Sequence, residues 1–215
     1  MLEALNQYDT QLFYFINSHH CMIMDWVMWF VSSKWMWLLV IVFVYCFTVL
    51  KQERNLWWLV LLAIGACFLL ADQGSVHLFK NTVCRPRPCR ALPDVHLFHE
   101  KCGKAYGFVS SHAANAFALL TFFWMRYVKG ERFVPLGSQA CEAGRKVKGE
   151  RLKAHSPLSF MAVWAVVMCY SRCYLGKHYP GDVLCGALFG ILMGYLVHLI
   201  IKWLEKKLHK SETKS

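Results

Sequence analysis

The chain carries five apolar stretches, near residues 35–50, 57–79, 113–128, 157–170 and 182–204, separated by polar segments rich in arginine and lysine. This pattern limits the fold more than any other feature. Crossing the hydrocarbon of a bilayer takes roughly 20 apolar residues in a helix, and within lipid every backbone N–H and C=O must be bonded inside the structure. The runs are therefore expected as crossing helices. The composition agrees: 57% of the 215 residues are hydrophobic, 17% are charged and the mean hydropathy is +0.33. A soluble domain of this size needs more polar surface.

The first ten residues are acidic and polar where a leader needs a basic start and an apolar middle, so insertion is expected to rely on the internal spans. Residues 2–17 place Leu2, Leu5, Tyr8, Leu12, Phe13 and Ile16 at helical spacing among Glu3, Gln7 and Asp9, which predicts an amphipathic helix lying in the interface. Residues 22–31 are apolar but short and contain Asp25, so they read as a short packed helix ahead of the first crossing. The second crossing is expected to end near Lys80, with Asp72, Gln73, Ser75 and His77 in its last turns turned toward protein or water. Residues 80–112 read as a loop and 129–156 as a basic loop, with Pro157 starting the fourth span. The fold expected is all-α: a polytopic transmembrane helical bundle of about five crossing helices plus the N-terminal interfacial and short helices. It divides into 1–34, a membrane-embedded unit at 35–204 and a charged, frayed tail at 205–215.

If each run crosses once, the loops at 80–112 and 171–182 share a side. That side holds nine cations, namely Lys34, Lys80, Arg85, Arg87, Arg90, Lys101, Lys104, Arg172 and Lys177, and the other holds the remaining fifteen of the 24. The positive-inside rule then puts 129–156 and the C-terminus in the cytoplasm and the two loops outside. Nine cations on an outer face call for a reason, and an anion-binding site supplies one. Nucleic acid is not indicated by the net charge of +11, because the cations fall between spans without a basic helix or interleaved aromatic surface. Most cysteines, among them Cys46, Cys67, Cys169 and Cys185, sit in apolar runs, and no pair has zinc-ligand spacing, so no metal or cofactor is expected.

Three clusters lie where the outer loops meet the spans: Lys80 through Arg87 and Pro88; Ser110, Ser111 and His112; and Ser171, Arg172, His178 and Asp182. A transferring phosphoryl group spreads charge over three oxygens and needs fixed cationic and N–H donors around it. Lys80, Arg87 and Arg172 supply the cations, and the helix start after Ser110 and Ser111 supplies N–H groups. His178 and Asp182 are four apart, so the carboxylate can hold one imidazole nitrogen while the other acts as nucleophile. His112 is left to protonate the leaving oxygen. Taken singly, each of these residues reads more simply as an interfacial anchor, a cap or a helix-start charge. Jointly, independent anchors have no reason to fall in this arrangement on one face.

The clusters resemble the three signature motifs of the type 2 phosphatidic acid phosphatase superfamily, which includes lipid phosphatases and vanadium haloperoxidases. Lys80 to Pro88 fits Lys-x6-Arg-Pro, and Ser171 to Asp182 fits Ser-Arg-x5-His-x3-Asp, within a match of roughly residues 55–200. The middle motif departs from the usual Pro-Ser-Gly-His in having Val109 and Ser111, which bears on the backbone because glycine tolerates dihedrals that serine does not. The resemblance implies His178 as nucleophile, Asp182 as its partner and His112 as general acid. It also implies Lys80, Arg87, Ser110, Ser111, Arg172 and, less directly, Ser171 as phosphate ligands, with no metal. The implied activity is hydrolysis of a lipid-linked phosphate or diphosphate at the outer leaflet of a bacterial inner membrane, on undecaprenyl diphosphate, lipid A phosphate, phosphatidylglycerophosphate or phosphatidic acid. A vanadate-dependent haloperoxidase and a non-enzymatic scaffold or transport component are the alternatives. Membrane lipids are the other expected partners, and the oligomeric state stays open.

Cys84, Cys89 and Cys102 share the first outer loop, on the side where disulfides persist. A Cys89–Cys102 bridge would close about a dozen residues and steady the segment between Arg87 and Ser110, with Cys84 as a free thiol. Three unpaired thiols remain the alternative.

Overall fold

The computed structural model describes residues 2–46, 57–99, 102–128 and 140–212, without the side chains of 2, 44, 128, 140–156, 209, 211 and 212. The described residues form eight helices: α1 (Leu2–Ser18), α2 (Met22–Val31), α3 (Lys34–Val44), α4 (Trp57–Gly74), α5 (Pro88–Ala91), α6 (Ser111–Phe123), α7 (Ala140–Tyr174) and α8 (Pro180–Glu212). A wider π turn at Ser75–Lys80 and a last turn at Asn81–Val83 continue α4, and Trp124–Val128 continues α6 in the same way. Among the described residues, the helices Trp57–Val83 and Pro180–Leu208 are long and apolar enough to cross a membrane. Met22–Val31 and Lys34–Phe43 meet that test as a pair bent by 55°. α6 packs inside the bundle, while the apolar half of α7 buries one face and turns Phe160, Val163, Val166 and Tyr170 outward.

Small residues set the closest packing. Gly190 and Gly194 of α8 lie over the Ala114 and Ala118 carbonyls of α6, so near that a Cβ on either would come within 2.2 Å of the oxygen. One turn nearer the site, a Cβ on Gly186 would meet the Ser110 carbonyl at 2.6 Å. Glycine repeating every four residues along one helix face lets two backbones touch where lipid provides no hydrophobic drive between helices. The consequence for the site is direct, because the start of α8, with Asp182, is pressed against the start of α6, and the Ser110 N–H donates to the Asp182 carbonyl at 3.0 Å. Behind them Ala63, Cys67 and Ala71 of α4, Leu119 and Phe122 of α6, Met161, Trp164 and Met168 of α7, and Val197 and Ile201 of α8 make one continuous core.

Two expectations are corrected. Residues 140–156 are helical and run through Pro157 into the fourth span, where a loop was expected. Their alanines, lysines, arginines and glutamates are strong helix formers, and polarity alone does not stop a helix. The interior proline removes one backbone bond without ending it. The C-terminal helix continues to Glu212, past the expected end near Leu204, because Glu205 is buried and paired with Arg126 at the end of α6. The amphipathic helix α1 presents Leu5, Tyr8, Leu12 and Phe15 outward, while Phe13, Asn17 and Asp9 face the protein. Glu3, Gln7 and Gln11 are exposed as well, so polar groups lie on both faces. Residues 47–56 and 129–139, which hold the expected turn at 51–54 and part of the basic loop, lie outside the described residues.

Candidate active site

The loop after α4 folds back on itself before reaching α6. The Arg87 N–H donates to the Ala105 carbonyl at 3.3 Å, and that of Gly107 to the Arg85 carbonyl at 2.9 Å. Cys89 and Cys102 are joined by a disulfide with Cα atoms 5.9 Å apart, and the Arg90 guanidinium caps the carbonyls of Cys102 and Gly103. Cys84 is a free, exposed thiol. This closed loop carries Arg87 over the end of α7, where a tight turn at Gly176 leads to His178. Gly176 has φ +72°, and a Cβ there would clash with Val95 and the His96 carbonyl.

Lys80, Arg87, Ser111, His112, Arg172 and His178 line one cavity of about 530 Å³, together with Lys34, Trp37, Asp72, Lys104 and Asn115. Lys80 donates to the Ser111 hydroxyl at 2.5 Å, and that hydroxyl also meets Ser75 at 2.6 Å. The Arg87 guanidinium is anchored through Nε to the Lys104 carbonyl at 2.8 Å and through Nη1 to the Lys177 carbonyl at 3.1 Å, and Nη1 also reaches His178 Nε2 at 3.1 Å. Arg172 is buried in the last turn of α7, with its Nε bonded to no group among the described residues.

An arginine N–H can only donate, so the contact with Arg87 assigns the lone pair of His178 to Nε2 and its proton to Nδ1. Nδ1 faces Asp182 Oδ2 at 3.6 Å. Burial, and then the charges of Arg87, Arg172 and Lys80, hold the His178 pKa well below the usual imidazole value, which keeps the ring neutral. Burial also lowers Arg87, and burial with Arg87 brings Lys177 down to about 8.

Asp182, fully buried, is fixed by groups other than the histidine. Its Oδ1 accepts from Arg85 Nη1 at 2.8 Å and its Oδ2 from the Tyr179 N–H at 3.1 Å. Arg85 in turn bonds Asp9 of α1 at 2.7 Å. Burial works against the Arg85 charge, yet Asp182 and Asp9 hold its pKa above the ordinary value. Arg85 and Asp9 are the site neighbours that sequence reasoning missed as functional. The doubled Arg85-Pro86-Arg87-Pro88 was the one available signal for Arg85.

Two predicted ligands stand apart from the cavity. Ser171 bonds the Met168 carbonyl at 2.6 Å and the Ser32 hydroxyl, because its place on α7 turns it toward the bent α2–α3 pair. Ser110 is at the N-cap of α6, but its hydroxyl makes no capping bond and is buried without a partner among the described residues. Ser111 occupies the first helical position of α6, so serine meets no backbone strain where the family pattern has glycine. No group of three His, Cys, Asp or Glu side chains among the described residues is placed to hold a metal ion.

Residues 55–206 match the PAP2 superfamily, and the chain belongs to it. It is a membrane phosphatase of the lipid phosphatase type. The lipid A 4'-phosphatase of Bacteroides thetaiotaomicron is 30% identical over 97% of this chain and 83% of its own length, and that of Porphyromonas gingivalis is 23% identical over 93% and 75%. Two solved structures share the fold. Aquifex aeolicus LpxE is 21% identical, with a TM-score of 0.54 over 87% of this chain and 93% of that one. A PAP2 type phosphatidylglycerolphosphate phosphatase from Bacillus subtilis is 22% identical, with a TM-score of 0.58 over 90% and 84%.

Proposed function

We propose that this phosphatase cleaves a phosphate monoester from lipid A by way of a phosphohistidine at His178, at the periplasmic face of a bacterial inner membrane. The observation that carries the mechanism is the pairing of a neutral His178, with its Nε2 lone pair toward Arg87, with three cations around the same cavity. Nε2 attacks phosphorus, an N–P bond forms and the ester P–O bond breaks. His112, protonated beside the bound phosphate dianion, gives its proton to the departing oxygen. Water then attacks the phosphohistidine, His112 takes up the proton, and the N–P bond breaks to leave inorganic phosphate and free His178. Lys80, Arg87, Arg172 and the Ser111 hydroxyl bind the phosphoryl oxygens throughout, and Asp182 holds the Nδ1 side of the ring.

Two lipid A 4'-phosphatase relatives, covering nearly the whole chain, favour lipid A over the other lipid phosphates. The cation count on the loop side and the disulfide there support an outward-facing site. The test is phosphate release in detergent, with EDTA present, from lipid A, undecaprenyl diphosphate, phosphatidylglycerophosphate and phosphatidic acid. Lipid A is expected to turn over fastest and to lose its 4'-phosphate. Preference for another lipid in the panel would move the substrate assignment, and release from none of them would return the chain to a non-enzymatic role.

A further inference from the structure

Helix α1 lies outside residues 55–206 that define the family match, yet its inner stripe reaches the site. Asn6 Oδ1 and Asp9 Oδ2 both accept from Arg85 Nη2 at 2.7 Å, and Asp9 Oδ1 accepts from the Gly181 N–H at 2.7 Å. A Cβ at Gly181 would lie 2.8 Å from Asp9 Oδ2, so this approach depends on glycine. On its other side Arg85 bonds Asp182 Oδ1 and lies over the Tyr179 ring at 3.9 Å. Arg85 is not on the cavity wall, so it does not compete for the phosphate.

The two oxygens of Asp182 are thereby divided. Oδ1 is taken by Arg85, and Oδ2 is left to the Tyr179 N–H and to His178 Nδ1. We propose that Arg85 and Asp9 are positioning residues for the hydrolysis: Asp9 fixes the Arg85 guanidinium, Arg85 fixes the rotation of the Asp182 carboxylate, and Asp182 presents Oδ2 to His178. This rests on His178 being the nucleophile. The N-terminal helix is then part of the catalytic apparatus through a chain of charge-assisted bonds, in addition to covering the bundle. Outer partners of this kind orient a reactive imidazole in metal sites, where losing one typically costs about 10- to 100-fold.

The experiment compares Arg85→Gln, Arg85→Lys, Asp9→Ala, Asp9→Glu and the double variant Asp9→Ala/Arg85→Gln with the wild type. The readouts are kcat, KM, competitive inhibition by inorganic phosphate and thermal unfolding in detergent, with rates referred to folded protein. In Arg85→Gln, kcat is expected to fall roughly 10- to 100-fold by that analogy, with KM and phosphate inhibition unchanged. Arg85→Lys and Asp9→Glu should recover part of the respective losses. The double variant should be little worse than Arg85→Gln alone, since Asp9 reaches the Asp182 carboxylate through Arg85 and otherwise holds only the Gly181 backbone. Wild-type kcat in Asp9→Ala, penalties that multiply in the double variant, or a loss confined to thermal stability would each overturn the proposal and leave α1 a fastening. A wild type that hydrolyses none of the lipid phosphates would instead overturn the functional reading itself.

Discussion

The two ends of the bundle use arginine in opposite ways. At the far end from the site, Arg126 is buried against Glu205, so its charge is matched within the protein. At the site end, Arg87 is held by the carbonyls of Lys104 and Lys177, and Lys80 by a serine hydroxyl. Among the described residues neither they nor Arg172 form an ion pair with a carboxylate. Carbonyls and hydroxyls fix a cation in place without cancelling its charge. A cation paired with a carboxylate serves the fold, and one held by neutral acceptors keeps its attraction for an incoming anion. Arg85 shows that distance from the site does not decide the matter. It lies beside His178 and Asp182 but is paired with Asp9 and Asp182.

The contrast is sharpest in stability. Arg126→Ala leaves Glu205 buried and unpaired, and breaking a buried pair costs about 3 to 5 kcal/mol. A large drop in thermal unfolding temperature is expected, with the kcat of the folded fraction unchanged. Replacing both partners with apolar residues should recover most of the loss, and a double variant as unstable as the single would break the comparison at this end.

At the site end the loss should appear in turnover. Neutralising Arg87 or Arg172 removes a preorganised donor and should cost roughly 2.7 to 4 kcal/mol of transition-state stabilisation, or about 10²- to 10³-fold in kcat. Stability should hold or rise, since a buried cation without a carboxylate is then gone. Unfolding curves set beside rates would decide it, and near-wild-type turnover would make these residues anchors like Arg126.

Among the described residues the disulfide belongs to the site end. Reducing Cys89–Cys102 opens a loop of sequence separation 13, for which the chain-entropy estimate is about 3 kcal/mol. Alkylation mapping with and without reductant, followed by unfolding of both forms, should show a less stable reduced protein with Arg87 less well held and kcat lower. Equal stability in the two forms would mean the loop is fixed by Arg90 and the backbone bonds instead.

The smallest effect is in pH. The folded-state pKa of His178 is depressed, so the unfolded chain takes up this proton first as pH falls. Its contribution to stability is present above the unfolded value of about 6.5 and drains away as pH drops from there toward the folded value. His178→Gln should flatten that part of the stability profile. A profile identical to wild type would mean that the buried, cation-flanked environment of the ring is not as described.

Much of this was legible in sequence because its signals are local. The apolar runs marked the helices, and the motif spacings brought Lys80, Arg87, Ser111, His112, Arg172 and His178 to one cavity. The link from Asp9 to Arg85 to Asp182 was not legible. Its members are far apart in the chain, and nothing in a helix of mixed polarity says which face turns inward. Nor could the pattern show that Ser171 turns toward Ser32, since that depends on the bend between α2 and α3. The helix at 140–156 was hidden by its charge, which was read as a loop although its residues favour helix.

The most direct test of the account is to catch the covalent intermediate. Phosphate-labelled lipid A would be mixed with the enzyme, quenched within milliseconds in alkaline detergent, which preserves phosphohistidine, and the labelled peptide mapped. The prediction is label on Nε2 of His178, forming and decaying at rates consistent with kcat, and absent from His178→Ala although that variant folds and inserts. Turnover by wild-type enzyme with no labelled protein, or with label retained in His178→Ala, would contradict it.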